Sequence, residues 1–123
     1  MFRSILLVGI GGALGCCLRY LTTIFFTKWI AQSFPWATFV ANIAGCLLIG
    51  LLMGCFSRME LNNTDVKLLL VTGFCGGYTT FSAFAFENFT LIQQGNYAMA
   101  LLYILISVFI GIAAVMSGFA MAR

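Results

Sequence analysis

Residues Gly73 to Phe84 read Gly-Phe-Cys-Gly-Gly-Tyr-Thr-Thr-Phe-Ser-Ala-Phe, inside a stretch apolar enough to cross a membrane. The run sets the hydroxyls of Thr79, Thr80 and Ser82 beside helix-weakening glycines and two phenylalanines three apart, Phe81 and Phe84. Irregular backbone at bilayer depth is tolerated only where protein buries it or a polar cavity meets it. Unwinding near Gly76 to Thr79 releases carbonyl oxygens, hard ligands suited to Na+ or another small cation. The half-helix that begins near Thr79 presents N–H groups, which favour anions.

Other polar groups in the apolar stretches need the same scrutiny, because charge and amide at membrane depth are costly. Arg19 either snorkels to the interface or faces an aqueous vestibule, where it raises the local anion concentration. Asn42 either makes an interhelical hydrogen bond or aims its amide at a permeating ion; its NH2 donates without carrying charge. Glu87, three residues after Phe84, is the only carboxylate at membrane depth. It has three readings: a proton carrier, a partner for Arg19, or a cap on the vestibule. Phe81 and Phe84 are core or lipid-facing by default. Their position just after the polar stretch adds a second role, because an aromatic ring has an electron-poor edge that meets a small anion and a negative face that meets a cation. Tyr103 and Ser107, at i and i+4, form a short hydroxyl stripe that fades at Gly111.

These residues must be positioned by membrane helices. The chain has 123 residues, 63% hydrophobic and only 7% charged, with a mean hydropathy of +1.09. Ordinary domains carry roughly 25% charged residues, and a soluble domain of this length could not bury so much apolar surface. The apolar runs are long and continuous, the signature of helices rather than of a barrel. Four spans are expected, over residues 4–26, 36–56, 66–92 and 97–122, within a single transmembrane domain covering 1–123. The first apolar run is too long for a cleaved signal peptide. Lys28, Gln32, Ser33 and Pro35 fall in the first connection, Arg58 to Lys67 in the second, and Gln93 to Asn96 in the third. Asn63 is a candidate cap for the third span. Gly11/Gly15, Gly50/Gly54 and Gly73/Gly77 carry the Gly-x-x-x-Gly spacing that lets helices approach closely. Cys16, Cys17, Cys46, Cys55 and Cys75 all lie in apolar runs and read as small packing residues.

Charge and composition also exclude function classes. A net charge of +3 is too small to imply nucleic acid, and there is no histidine to serve as base or metal ligand. Arg3, Arg58, Lys67 and Arg123 fall on the side of the termini against Lys28 on the other, a bias toward cytoplasmic termini. No loop can hold a catalytic site, so no enzyme activity is expected. Four spans enclose too little space for a pore, so a dimer is expected.

Three blocks together resemble the Fluc (CrcB) family of fluoride channels. They are Gly11 to Tyr20 with its Gly-Gly-Ala-Leu-Gly opening and Arg19, Ala37 to Gly45 with Asn42, and Gly73 to Phe84. Ala37 stands where glycine is usual and Ala83 where threonine is common. The resemblance implies an all-α membrane protein with four transmembrane helices per subunit, the third broken near its middle, paired as an antiparallel, dual-topology homodimer. Both orientations in the membrane are therefore expected despite the charge bias. It implies a fluoride-selective channel in the cell inner membrane that lets cytoplasmic fluoride leave down its electrochemical gradient. It implies that Phe81 and Phe84 line the fluoride pathway, with Asn42 as a donor and Thr38, Thr80, Ser82, Tyr103 and Ser107 as further polar contributors. Gly111 stands where some relatives continue the fourth-helix track with a serine. It also implies a structural Na+ at the dimer interface, held by carbonyls of Gly76 and Thr79 from both subunits, with Arg19 and Glu87 in vestibule or structural roles. The partners implied are fluoride, a second copy of the chain and the lipid bilayer. A small proton-coupled multidrug exporter is the main alternative, but it needs a core carboxylate, typically in the first span, and that span has none. A non-transporting assembly subunit fits the composition and leaves the polar third span without a purpose.

Overall fold

Continuous apolar sequence forces the backbone to satisfy its own hydrogen bonds, because hydrocarbon offers none. The computed structural model describes residues 1–30 and 33–123; Gln32, expected in the first connection, lies outside them. The described residues are helical nearly throughout: α1 (Phe2–Trp29), α2 (Trp36–Arg58), α3 (Thr64–Lys67), a π-helix (Leu68–Cys75), α4 (Gly76–Tyr78), α5 (Phe81–Gln93) and α6 (Tyr97–Ala122). Four helical spans are long and apolar enough to cross a membrane: Phe2–Trp29, Trp36–Arg58, Thr64–Gln93 and Tyr97–Ala122. Each lies within a few residues of its expected bounds.

Local chemistry sets the ends. Asn63 caps the third span, its Oδ1 accepting from the N–H groups of Asp65 at 3.0 Å and Val66 at 3.3 Å. Gly95, at φ 76°, ends α5 in the left-handed conformation that glycine adopts without a Cβ penalty. The Gly95 N–H then reaches the Ile92 carbonyl at 3.0 Å and the Asn96 N–H the Leu91 carbonyl at 2.9 Å, so α6 starts at once. Arg3 and Asp65 form an exposed ion pair that joins the start of α1 to the start of the third span.

Glycine then decides which helices meet. α1 packs along the π-helix and α4, and α2 packs along α6. A Cβ at Gly11 would overlap the carbonyl oxygen of Leu69, and one at Gly15 that of Phe74. From the other side, a Cβ at Gly77 would lie 2.9 Å from the Gly12 Cα. In the second pair, side chains at Gly50 and Gly54 would overlap the backbone of Val115 and Phe119. The α6 contribution is Gly118, whose Cβ would strike the Leu47 carbonyl; it carries no four-residue spacing and went unmarked in the sequence. Backbone contact of this kind replaces the hydrophobic drive that lipid cannot supply.

The third span is broken, but not by its glycines. Gly76 keeps helical dihedrals (φ −62°, ψ −38°), and α4 continues through Gly77 to Tyr78. The extended residues are Thr79 (φ −84°, ψ 159°) and Thr80 (φ −151°, ψ 125°), so the expected stretch shifts toward its C-terminal edge. Threonine is stiff at χ1 and favours extended backbone, and its hydroxyl offers local bonds that compete with the helix. The glycines are used for close approach instead.

This packing predicts a sharp positional difference along α1. Replacing Gly11 with valine should lower stability by about 1–3 kcal/mol or more, the usual cost of overpacking. Gly9→Val, where a Cβ meets nothing within 4 Å, should change it far less. Thermal melts of the two variants in detergent make the comparison, and equal melting would contradict the packing.

Candidate functional site

The break has to find partners for the groups it releases. Thr80 turns its N–H away from the Gly76 carbonyl four residues back and donates it to Asn42 Oδ1 at 2.8 Å. Asn42 Nδ2 returns a bond to the Thr80 carbonyl at 3.0 Å. One side-chain amide on α2 thus pairs both backbone groups of the unwound residue, as a neighbouring strand would. Gly45, on the next turn of α2, leaves room for the Thr79 methyl; a Cβ there would overlap Thr79 Cγ2. Thr79 turns its hydroxyl back to the Cys75 carbonyl at 2.9 Å, which also accepts the Thr79 N–H at 3.0 Å. Arg19 reaches across from α1 and donates its Nε–H to the Gly77 carbonyl at 3.2 Å. Arg19 therefore does not pair with Glu87: its guanidinium replaces an N–H that a continuous helix would have supplied.

Three carbonyls, those of Gly76, Tyr78 and Thr79, are left out of these replacements among the described residues. Gly76 loses the Thr80 N–H to Asn42. Thr79 loses the Ala83 N–H, which instead goes to Thr80 Oγ at 3.3 Å as the cap of α5. Gly76 is exposed on the single chain, and a Cβ there would meet nothing closer than 3.9 Å. Of these neutral oxygens, those of Gly76 and Thr79 beside an open surface fit a hard cation that draws further oxygens from elsewhere. Among the described residues no group of three His, Cys, Asp or Glu stands ready to hold a metal, so carbonyls are the ligands on offer.

Beyond the break, polar and aromatic groups follow one another along α5 and onto α6. The Thr80 and Ser82 hydroxyls lie 3.3 Å apart at the α5 N-terminus. Phe81 and Phe84 have ring centroids 5.8 Å apart, tilted by 45°. Phe81 is 78% exposed on the single chain, whereas Phe84 is half-buried with the Tyr103 ring at 4.9 Å and 70°, edge to face. One turn on, Glu87 accepts from Tyr103 at 2.7 Å through Oε2 and from the Thr38 hydroxyl at 2.5 Å through Oε1. Glu87 and Thr38 also line a cavity of about 670 Å³, open between the end of α1, the start of α2 and the end of α5.

Not every expected residue joins. Ser107 is half-buried one turn past Tyr103 and makes no side-chain hydrogen bond among the described residues. Gly111 packs under α2, where a Cβ would come within 3.6 Å of Cys46 Sγ. Two residues passed over in the sequence belong to the site. Asn88 is buried, donates to the Phe84 carbonyl at 2.9 Å and leaves its Oδ1 without a partner. The signal was there, an amide at membrane depth beside Glu87. Phe34, from the connection between α1 and α2, packs edge to face on Tyr103 at 5.1 Å; as one of 13 phenylalanines it carried no sequence signal.

Positions 6–119 match the family model described as CrcB-like protein, Camphor Resistance (CrcB). A protein of Flavobacterium psychrophilum named fluoride-specific ion channel FluC is 48% identical over 121 residues, covering 98% of each chain. A protein of the same name from Phocaeicola vulgatus is 45% identical over 121 residues, covering 98% of this chain and 99% of its own. Another, from Azobacteroides pseudotrichonymphae, is 44% identical over 119 residues, covering 97% and 95%.

If the Asn42 amide holds the break, removing it exposes the break first. In Asn42→Ala, hydrogen exchange at the Thr80 amide should rise steeply, and stability should fall by about 2 kcal/mol or more as two backbone groups lose their partner. Unchanged protection of Thr80 would remove Asn42 from this role.

Proposed function

This chain belongs to the CrcB family, and from that membership and the geometry of its third span we propose that it is a fluoride-selective ion channel. The observation that carries the reading is the unbroken series from the hydroxyls of Thr80 and Ser82, past Phe81 and Phe84, to Tyr103, Thr38 and Glu87 at the vestibule, in a chain with near full-length likeness to proteins named fluoride-specific ion channels.

Fluoride is small and holds its water strongly, so stripping that water without compensation is prohibitive. Hydroxyl donors, the free N–H groups of the α5 N-terminus and the electron-poor ring edges replace hydration in small increments. Arg19 bonds the Gly77 carbonyl on the α1 side of the break and is not one of the groups of the series. Passage requires sites strong enough to admit and weak enough to release. Asn42 serves chiefly as the clamp on the break, and its amide carries no charge that would repel or bind the anion tightly. The membrane potential drives an anion out of the cell, so an open path suffices for export from the cytoplasm across the inner membrane.

A second copy of the chain completes the path. Phe81 projects 78% exposed from one chain, and the series is open on that side. An antiparallel, dual-topology homodimer closes it and brings together the Gly76 and Thr79 carbonyls of two breaks. The Gly76 and Thr79 carbonyls would hold a Na+ there, which would supply positive charge to offset their mutual repulsion.

Liposomes loaded with fluoride and carrying the purified protein should release fluoride to an electrode rapidly, with no matching chloride release. Phe84→Ile should slow that release by about tenfold or more, as loss of a preorganised contact does, while the protein stays dimeric. No flux above empty liposomes would overturn the channel reading, and unchanged flux in Phe84→Ile would take that ring out of the path. Exchanging Na+ for a large organic cation should lower flux and melting temperature together. Full activity after exhaustive exchange would contradict a required Na+.

A further inference from the structure

The connection between α1 and α2 ends in a rigid device that points a ring at the site. Pro35 sits at φ −76° and ψ 67°, and the Trp36 N–H closes back on the Phe34 carbonyl at 2.8 Å. These are the dihedrals and the i→i+2 bond of an inverse γ-turn. The Phe39 N–H then bonds the Pro35 carbonyl at 3.1 Å and joins the turn to the first turn of α2. Proline also restricts the residue before it to extended backbone. Phe34 therefore has little freedom, and it points inward: it is only 9% exposed although it lies in a connection.

Its ring is surrounded by aromatic neighbours. Trp36 lies at 4.7 Å and Phe39 at 5.7 Å, and the Tyr103 ring meets it at 5.1 Å and 72°. Phe84 contacts the same tyrosine at 4.9 Å and 70°. Tyr103 is thus held between a ring from the connection and a ring from the proposed path, and its hydroxyl donates to Glu87 at 2.7 Å. Phe34 also borders the vestibule that Glu87 and Thr38 line.

We infer that Phe34 is a positioning residue: seated by the Pro35 turn, it clamps the Tyr103 ring against Phe84 so that the Tyr103 hydroxyl stays on Glu87 at the vestibule end of the path. The flux consequence rests on the channel reading above; the clamp itself does not. Without Phe34 the phenol gains room to swing, and the carboxylate keeps Thr38 but loses a steady second donor. Aromatic pairs of this kind are worth enough to change a population about two- to tenfold, which sets the scale of the flux change.

Two readouts separate the clamp from general packing. Phe34→Ala should lower fluoride flux about two- to tenfold, and Tyr103→Phe, which removes the hydroxyl, should lower it as well. The double variant should be no slower than Tyr103→Phe alone, because Phe34 acts through that hydroxyl. Effects that multiply would overturn the inference. If Phe34→Ala fails to run as a folded species, Phe34→Leu, which keeps the bulk and loses the ring edge, takes its place in the cycle. The second readout needs no flux: in tyrosine-labelled protein, the NMR ring-flip rate of Tyr103, assigned by its loss in Tyr103→Phe, should rise in Phe34→Ala or Phe34→Leu while that of Tyr78 does not. An unchanged Tyr103 flip rate refutes the clamp. Absence of flux from the wild-type protein, with the flip rate altered as expected, would refute the channel reading and leave the clamp standing.

Discussion

A backbone that unwinds inside a membrane must bring its own hydrogen-bond partners, because each unmet group in hydrocarbon costs several kcal/mol. In this protein that demand falls on Thr79 and Thr80, and Asn42 answers most of it. Its amide gives one bond and takes one from the same residue, at 3.0 and 2.8 Å. The rest of the site depends on this exchange. It frees the Gly76 carbonyl, it orients Thr80 so that its hydroxyl caps α5, and it starts α5 at the angle that carries Phe81, Phe84 and Glu87 in succession. Arg19 completes the repair at Gly77 from the opposite side.

The glycines make that repair geometrically possible. Asn42 and Arg19 can reach one short break only if α1 and α2 both come close to the third span. Gly11, Gly15 and Gly77 bring α1 in at backbone contact, and Gly45 admits the Thr79 methyl against α2. The carbonyls that press on Gly11 and Gly15 belong to Leu69 and Phe74, both within the π-helix, where the turns are wider than in an α-helix. Packing and break are therefore one construction: the small residues set distances, and the polar residues spend those distances on hydrogen bonds.

Much of this was legible in the chain itself. Uninterrupted apolar runs located four spans to within a few residues, because length against bilayer thickness is a coarse and robust measure. Asn63 was readable as a cap because its partners lie two and three residues away. The position of the break was less so. Glycines near Gly76 look like breakers in isolation, yet their partners on α1 turn them into packing residues, and two threonines unwind instead. Arg19 bonding Gly77 and Asn42 bonding Thr80 span 58 and 38 residues of sequence, and no local pattern encodes them. Phe34 was invisible for a similar reason: its inward direction comes from a proline turn and from Tyr103, far along the chain. Asn88 was readable in principle and was overshadowed by its neighbour Glu87.

The central claim is that this broken, amide-clamped span conducts fluoride as an open path rather than by exchange for another ion. The most direct measurement is electrical, in a planar bilayer containing the purified protein with a fluoride gradient and equal chloride on both sides. The current should reverse at the potential that balances the fluoride gradient, and it should stay there when chloride is replaced by a large organic anion or when a pH gradient is imposed. A reversal potential that follows chloride or the proton gradient would contradict the account.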